Sequence, residues 1–96
     1  MNTTRTIRRF PLGHVVATPG ALAALDASGQ SPHELLARHV AGDWGDVSEA
    51  DWQENERSLR AGFRVLSAYT TNQGTTLWVI TEADRSVTTL LLPSDY

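Results

Sequence analysis

Residues 63–92 read FRVLSAYTTNQGTTLWVITEADRSVTTLLL, and this C-terminal part of the chain decides the fold. Its segments 63–70, 76–81 and 86–92 are rich in Val, Ile, Thr, Tyr and Trp, the residue types that favour strands. Only a few residues separate consecutive segments, whereas a parallel crossover needs about a dozen residues. The three strands are therefore predicted to form an antiparallel meander.

Three short helices are predicted ahead of these strands. Thr18-Pro19 and Ser31-Pro32 each place a hydroxyl side chain at the N-cap before a proline at the first helical position. Ser48 is the predicted N-cap of the third helix, and a glycine closes each helix. A β-branched segment at residues 14–17 is predicted as an edge strand. The sequence thus predicts an α+β fold in which three short N-terminal helices pack on one face of a C-terminal three- to four-stranded antiparallel sheet.

The length and composition of the chain set its domain organisation. The 96 residues support one compact domain, predicted over residues 10–96. Residues 1–9 carry several arginines and no acid, and they are predicted to form a basic flexible leader. The absence of cysteine excludes a disulfide framework and a thiolate nucleophile. No apolar stretch approaches the ~18 residues of a membrane span, so a cytoplasmic protein without membrane contact is expected.

The distribution of charge is the most unusual feature of the sequence. The formal net charge is -3 and lysine is absent, which disfavours direct binding to nucleic acid. Between residues 43 and 56 the chain carries acidic side chains without one base among them, and we call this stretch the acidic segment. Its carboxylates are Asp43, Asp46, Glu49, Asp51, Glu54 and Glu56.

The acidic segment has a structural and a functional interpretation. Acids in the first turn of a helix and bases in its last turn complement the helix dipole, and Glu56 with Arg60 has the i,i+4 spacing of a favourable pair. In the functional interpretation, the carboxylates imitate phosphates and occupy a basic groove on a partner. Asp43 and Asp46 precede the predicted helix, so the dipole explains them less well.

Trp44 lies in the middle of this charged stretch, between two Gly-Asp pairs. A large aromatic residue in such a turn either plugs a core or anchors an interface, and the sequence leaves both interpretations open. In the functional interpretation, Trp44 is the apolar anchor among the carboxylates.

The usual signatures of catalysis and cofactor binding are missing from the sequence. His33 and His39 are six residues apart, about 240° on a helix, so one helix cannot present both to a single metal ion. The chain has no HExxH run, phosphate-binding glycine loop or GxSxG elbow. No catalytic residue, metal or cofactor is therefore assigned, and a non-enzymatic role is favoured.

One enzymatic alternative comes from the predicted architecture. Helices followed by an antiparallel sheet resemble RelE/ParE-like ribonuclease toxins, which cut RNA with basic, histidine or tyrosine side chains on the sheet. The candidates for that role here are Arg60, Arg64, Tyr69, Arg85 and Tyr96. The acidic chain argues against this alternative, because an RNA groove needs many basic side chains. A further alternative is a structural protein that pairs with itself through an edge strand at residues 90–92.

Longer motifs run through the chain from Phe10 to Tyr96. They include FPLG at residues 10–13, GDWGD at 42–46, GFRVLSAY at 62–69 and WVITEADRSVTT at 78–89. These motifs resemble a family of short bacterial proteins from plasmids and integrated elements, often called plasmid-related and sometimes labelled as type I restriction subunits. The resemblance carries no catalytic residues. It implies a mobile-element setting, in which small acidic proteins often block host defences.

The leading prediction is a small, acidic, non-enzymatic interaction protein of mobile elements. It is expected to be a counter-defence inhibitor, of the anti-CRISPR or anti-restriction type, that occupies a nucleic-acid-binding surface of a host defence complex. No direct contact with nucleic acid or membrane is expected, and the protein is predicted to be a monomer or a weak homodimer. The predicted partner-binding residues are Asp43, Trp44, Asp46, Glu49, Asp51, Glu54 and Glu56.

Overall fold

A computed structural model describes residues 7–96 and contains three α-helices and one four-stranded sheet over that range. A first strand precedes the helices, and the other three strands follow them. In chain order the elements are β1 (His14–Ala17), α1 (Pro19–Ser28), α2 (Pro32–Val40), α3 (Glu49–Ala61), β2 (Val65–Thr70), β3 (Thr76–Thr81), β4 (Val87–Leu91) and a single 3-10 turn (Pro93–Asp95). The α+β class is confirmed.

The helices begin where the capping residues predicted. The Ala21 N–H donates to the Thr18 hydroxyl at 3.1 Å, which satisfies one of the free amides at the start of α1. The Asp51 N–H donates to the Ser48 hydroxyl at 3.1 Å in the same way at the start of α3. At the other end of α3, Gly62 has a φ of 81°, the left-handed conformation that glycine adopts without strain.

The sheet has the strand order β1-β4-β3-β2 and is mixed. The predicted antiparallel meander of β2, β3 and β4 is confirmed, with Ser67 opposite Val79 and Val79 opposite Leu90. The prediction of a purely antiparallel sheet is wrong, because β1 pairs with β4 in the parallel direction. All three helices and two strands separate β1 from β4, so the connection is long enough for the crossover that parallel pairing requires.

The position of β4 also corrects the suggested mode of self-association. β4 lies between β1 and β3, so residues 90–92 do not form a free edge of the sheet. The two edge strands are β1, as predicted, and β2.

The main hydrophobic core lies between one face of the sheet and the first two helices. α1 supplies Ala21 and Leu25 to this core, and α2 supplies Leu35 and Leu36. The sheet supplies Tyr69, Leu77, Val79 and Leu90, which all project from the same face. Complete burial of such a side chain contributes about 1.5–3 kcal/mol, so this layer contributes most of the apolar stabilisation.

Helix α3 contributes no residue to the main core, and its Trp52 and Leu59 pack instead against a second cluster of Phe10, Trp44 and Val65. The helix lies beside the edge strand β2, where the Asn55 side chain takes the place of a neighbouring strand. The Asn55 amide donates to the Leu66 carbonyl at 2.8 Å, and its oxygen accepts from the Leu66 N–H at 3.1 Å. Two residues along the strand, Ala68 pairs with the loop that precedes α3. The β2 edge is therefore covered at both positions.

The described part of the N-terminal segment is tied to the domain at Arg9. The Arg9 N–H donates to the Val40 carbonyl at 2.8 Å, and its guanidinium binds Glu56. Residues 1–6 of the predicted flexible leader lie outside the described residues. Over residues 7–96, no helix combines the length and the apolar character that crossing a bilayer requires.

Candidate functional site

The loop between α2 and α3 carries the first part of the acidic segment and is fixed to the β2 edge. The Ala68 N–H donates to the Trp44 carbonyl, and the Asp46 N–H donates to the Ala68 carbonyl at 2.7 Å. Gly45, between them, has a φ of 77°, and a Cβ at this position would lie 2.1 Å from the Ala68 carbonyl oxygen. Only glycine allows the loop to approach the strand this closely.

Trp44 is buried, with none of its surface exposed, so it is a core residue and cannot anchor a partner. Its indole stacks on the Phe10 ring at 6.0 Å between centroids and meets the His39 ring edge-on at 5.7 Å. The indole N–H donates to the Glu56 carboxylate at 3.0 Å. The prediction of Trp44 as a binding residue is therefore wrong, since burial with a hydrogen-bonded N–H is the structural use of tryptophan.

Three of the six carboxylates of the acidic segment are ion-paired within the protein. Arg38 binds Asp43 at 2.7 Å, Arg57 binds Glu54 at 2.6 Å and Arg9 binds Glu56 at 2.8 Å. The guanidinium of Arg38 holds the pKa of Asp43 below its ordinary value. Hydrogen bonds from Arg9 and then from Trp44 lower the pKa of Glu56 to about 2, despite partial burial.

The three pairs differ in what they leave available to a partner. Glu56 serves the interior, because it links Arg9 to the buried indole of Trp44. Asp43 also has a structural role, since it accepts from the Gly45 N–H while its backbone carbonyl accepts from Tyr69. The Arg57–Glu54 pair is exposed, and pairs of that kind contribute at most about 1 kcal/mol. Asp43 and Glu56 therefore have structural roles and are removed from the set of predicted binding residues.

The carboxylates of Asp46, Glu49 and Asp51 remain exposed at the start of α3, and we call these three residues the acidic surface. No salt bridge among residues 7–96 involves any of them. The Thr70 hydroxyl donates to Asp46 at 2.9 Å, and the Gln53 amide donates to Glu49 at 3.0 Å. These neutral donors orient the carboxylates and leave their negative charge in place.

A shallow groove of about 230 Å³ adjoins the acidic surface between α3 and the start of β2. Val47 and Leu66 line it with apolar surface, Asp51 and Glu54 with carboxylates, and Arg64 with a guanidinium. The groove therefore adds apolar surface and groups of mixed charge beside the acidic surface. The groove could not be predicted from the sequence, because Leu66 is brought beside the α3 residues only by the tertiary fold.

The described residues also contain a buried polar chain centred on His39, whose surface is fully buried. The Thr88 hydroxyl donates to the Leu12 carbonyl at 2.7 Å, so it must accept from Thr81, because a hydroxyl has one proton. Thr81 in turn accepts from Nε2–H of His39 at 2.9 Å, and Nδ1 accepts from the Ser67 hydroxyl at 2.6 Å. These bonds assign a position to each hydroxyl and imidazole proton of the buried hydrogen-bond chain.

That chain fixes His39 as a neutral structural residue. Burial, and secondarily the nearby positive charge of Arg85, lowers the pKa of His39 from 6.5 to about 3. With Ser67 equally buried, the pair has no solvent access, so a substrate cannot reach it. The histidine that the sequence offered for acid–base work is therefore part of the core.

The residues considered for a ribonuclease site do not converge. Tyr69 lies in the main core, its hydroxyl donates to the Asp43 carbonyl at 2.6 Å, and burial raises its pKa. Arg85 is held by the backbone carbonyls of Phe63 and Glu82. Arg64 instead lies 5.5 Å from the Tyr96 ring centroid, away from that core. Arg60 is exposed on α3, so the five side chains are divided between the core, backbone contacts and the surface.

The comparisons with other proteins add no assignment. No family model, curated protein or solved structure matches the chain. Within the described range, no group of three or more histidine or acidic side chains is arranged to hold a metal ion.

Proposed function

We propose that this protein is a non-enzymatic interaction protein that inhibits a nucleic-acid-handling host complex by occupying its basic surface. The observation that carries the proposal is the acidic surface, three exposed carboxylates without a guanidinium partner among the described residues. The binding site is smaller than the sequence predicted, because it excludes Trp44, Asp43, Glu56 and the ion-paired Glu54.

The geometry supports electrostatic recognition of a basic partner. Hydrogen bonds from Thr70 and Gln53 orient two of the carboxylates before a partner arrives, which reduces the entropy lost on binding. The adjoining groove adds apolar surface at Val47 and Leu66, against which the aliphatic part of a partner's side chain packs. Charge complementarity of this kind accelerates association and selects the partner, and it weakens as salt is added.

The class of partner follows from charge and from the family resemblance. A basic surface that normally binds phosphates is complementary to fixed carboxylates, whereas nucleic acid itself would be repelled by a chain of net charge -3. The resemblance to short plasmid and mobile-element proteins supports a counter-defence role. We therefore propose a CRISPR or restriction complex as the target.

The test compares two variants with the same change in net charge. The first, Asp46→Asn with Glu49→Gln and Asp51→Asn, neutralises the acidic surface while keeping side-chain size and hydrogen-bonding capacity. The control, Asp26→Asn with Glu82→Gln and Asp84→Asn, neutralises exposed acids elsewhere on the protein. Each is expressed in hosts with an active CRISPR or restriction system, and transformation by a targeted plasmid is counted.

The wild-type protein and the control variant are expected to raise transformation in a host that carries the target system. The acidic-surface variant is expected to lose this effect while keeping its melting temperature within a few degrees. Equal protection by both variants would show that the acidic surface is not the binding site. No protection by the wild-type protein in any of the defended hosts would contradict the counter-defence role.

A further inference from the structure

The two edges of the sheet differ in how their backbone groups are used. At the β2 edge, Asn55 and the loop at Gly45 occupy the outward-facing groups of Leu66 and Ala68. At the β1 edge, the His14 N–H donates to Ser86 and the Thr18 N–H donates to Leu90, both toward β4. Backbone groups alternate in direction along a strand, so those of Val15 and Ala17 point away from the sheet.

The side chains of β1 give this edge no protection against pairing. Val15 and Val16 are 44% and 48% exposed, and they project from opposite faces of the strand. The strand HVVA contains neither a lysine nor a proline, the residues with which proteins commonly block an edge. Val15 also lines a groove of about 240 Å³, which has apolar walls of Leu12, Leu36 and Val40 and the polar side chains of Arg8 and His33. The β1 edge thus combines outward-facing backbone N–H and C=O groups with exposed apolar side chains.

We propose that β1 pairs antiparallel with β1 of a second copy of this chain, about a twofold axis at Val16. In this register Val15 of each copy lies opposite Ala17 of the other, and each pair exchanges two N–H···O bonds. The outward-facing backbone groups of the two strands are then all used. The two copies form one continuous sheet of eight strands, twice the four of a single chain.

We assign a second copy of the chain as the partner of the β1 edge for two reasons. The hydrogen-bonding groups of this edge are complementary to those of an identical antiparallel edge, and the rest of the fold limits the assembly to two copies. A twofold axis makes the same patch serve on both copies, and here each patch offers the alternating donors and acceptors that the other needs. The opposite edge, β2, is already covered, so the sheet cannot grow further into a filament. The expected product is a closed dimer. The acidic surface lies beside β2, so dimerisation leaves it accessible.

The register can be tested by disulfide trapping, since the natural chain contains no cysteine. Residues at the twofold form a non-hydrogen-bonded pair with Cα atoms about 4.5 Å apart, within the range of about 4.4–6.8 Å that a disulfide spans. In the same register the two Val15 Cα atoms are about 8 Å apart, since they are displaced by two residues along the strands. Val15→Cys is therefore the matched control for Val16→Cys, on the same strand and at similar exposure.

Under mild oxidation, Val16→Cys is expected to give mostly covalent dimer on a non-reducing gel, and Val15→Cys is expected to remain mostly monomeric. Equal cross-linking of both variants would overturn the register. Absence of cross-linking in both would overturn the pairing.

Sedimentation velocity over a wide concentration series tests the association without a cross-link. Val16→Lys places two like charges at the twofold and is expected to weaken dimerisation about tenfold or more, whereas Val16→Thr should retain it. Circular dichroism confirms that both variants are folded. A wild-type chain that stays monomeric throughout the series, or a Val16→Lys variant that dimerises as tightly as wild type, would overturn the proposal.

Discussion

The buried His39 should make the protein lose stability between pH 7 and pH 5. In the unfolded chain this side chain binds a proton with its ordinary pKa of 6.5, whereas burial lowers its pKa in the folded protein to about 3. The unfolded state therefore binds more protons as the pH falls through 6.5, which favours unfolding. The stability contributed by neutral His39 is fully present above pH 6.5 and declines progressively toward pH 3.

The size of this effect follows from the difference in pKa. At pH 5, the unfolded state gains about 2 kcal/mol from protonation of His39, since each unit below 6.5 contributes about 1.4 kcal/mol. In a domain of this length, that corresponds to a fall in melting temperature of about 8–16 °C. The lowered pKa of Glu56, about 2 in the folded state, affects stability only below about pH 4.5. The contribution of Glu56 therefore lies below the interval from pH 7 to pH 5, and comparison with a variant at His39 identifies the contribution of this histidine.

Urea unfolding at pH 7 and at pH 5, followed by tryptophan fluorescence, measures the effect. His39→Gln is the matched variant, because its amide retains one donor and one acceptor and does not titrate. It is expected to be less stable at pH 7 but to show little change between the two pH values. If the wild-type free energy of unfolding is the same at both pH values, then His39 is not buried as a neutral residue and the hydrogen-bond chain is wrong.

Two further substitutions test how the β2 edge is covered. Asn55→Ala removes both hydrogen bonds to Leu66 and leaves its N–H and carbonyl without protein partners, so we expect a loss of about 2–4 kcal/mol in urea unfolding. Gln53→Ala is the control, because Gln53 is exposed and lies on a different side of α3 from Asn55. This substitution should change stability by less than about 0.5 kcal/mol. Gly45→Ala would place a methyl group against the Ala68 carbonyl, so we expect a loss of more than about 2 kcal/mol and a changed near-ultraviolet circular dichroism signal from Trp44. Wild-type values for either variant would contradict the described loop geometry.

The local features of the fold could be predicted from the sequence. Ser48 identified the start of α3, and the turn residues after β2 and β3 placed the meander, because caps and short turns depend on neighbouring residues. The direction of β1 could not be predicted. A strand of four residues carries no signal for its direction, and its partner β4 lies far along the chain.

The candidate site was predicted only in part, for a related reason. The acidic segment was evident, but the cations that neutralise it are distant or unexpected. Glu56 was expected to pair with Arg60 one turn away, yet it binds Arg9 from the N-terminal segment. Arg38 reaches Asp43 across the end of α2, which no helical spacing predicts. Which carboxylates remain free is thus a property of the tertiary fold.

Competition for a basic surface tests the proposed function most directly. The measurement is the displacement of fluorescently labelled DNA from a purified CRISPR or restriction complex by the wild-type protein, the acidic-surface variant and the charge-matched control. We expect displacement by the wild-type protein and by the control, weakening with added salt, and little displacement by the variant lacking the charges of Asp46, Glu49 and Asp51. Displacement by that variant equal to wild type would contradict the assigned surface, and failure of the wild-type protein to displace DNA from such complexes would contradict the function.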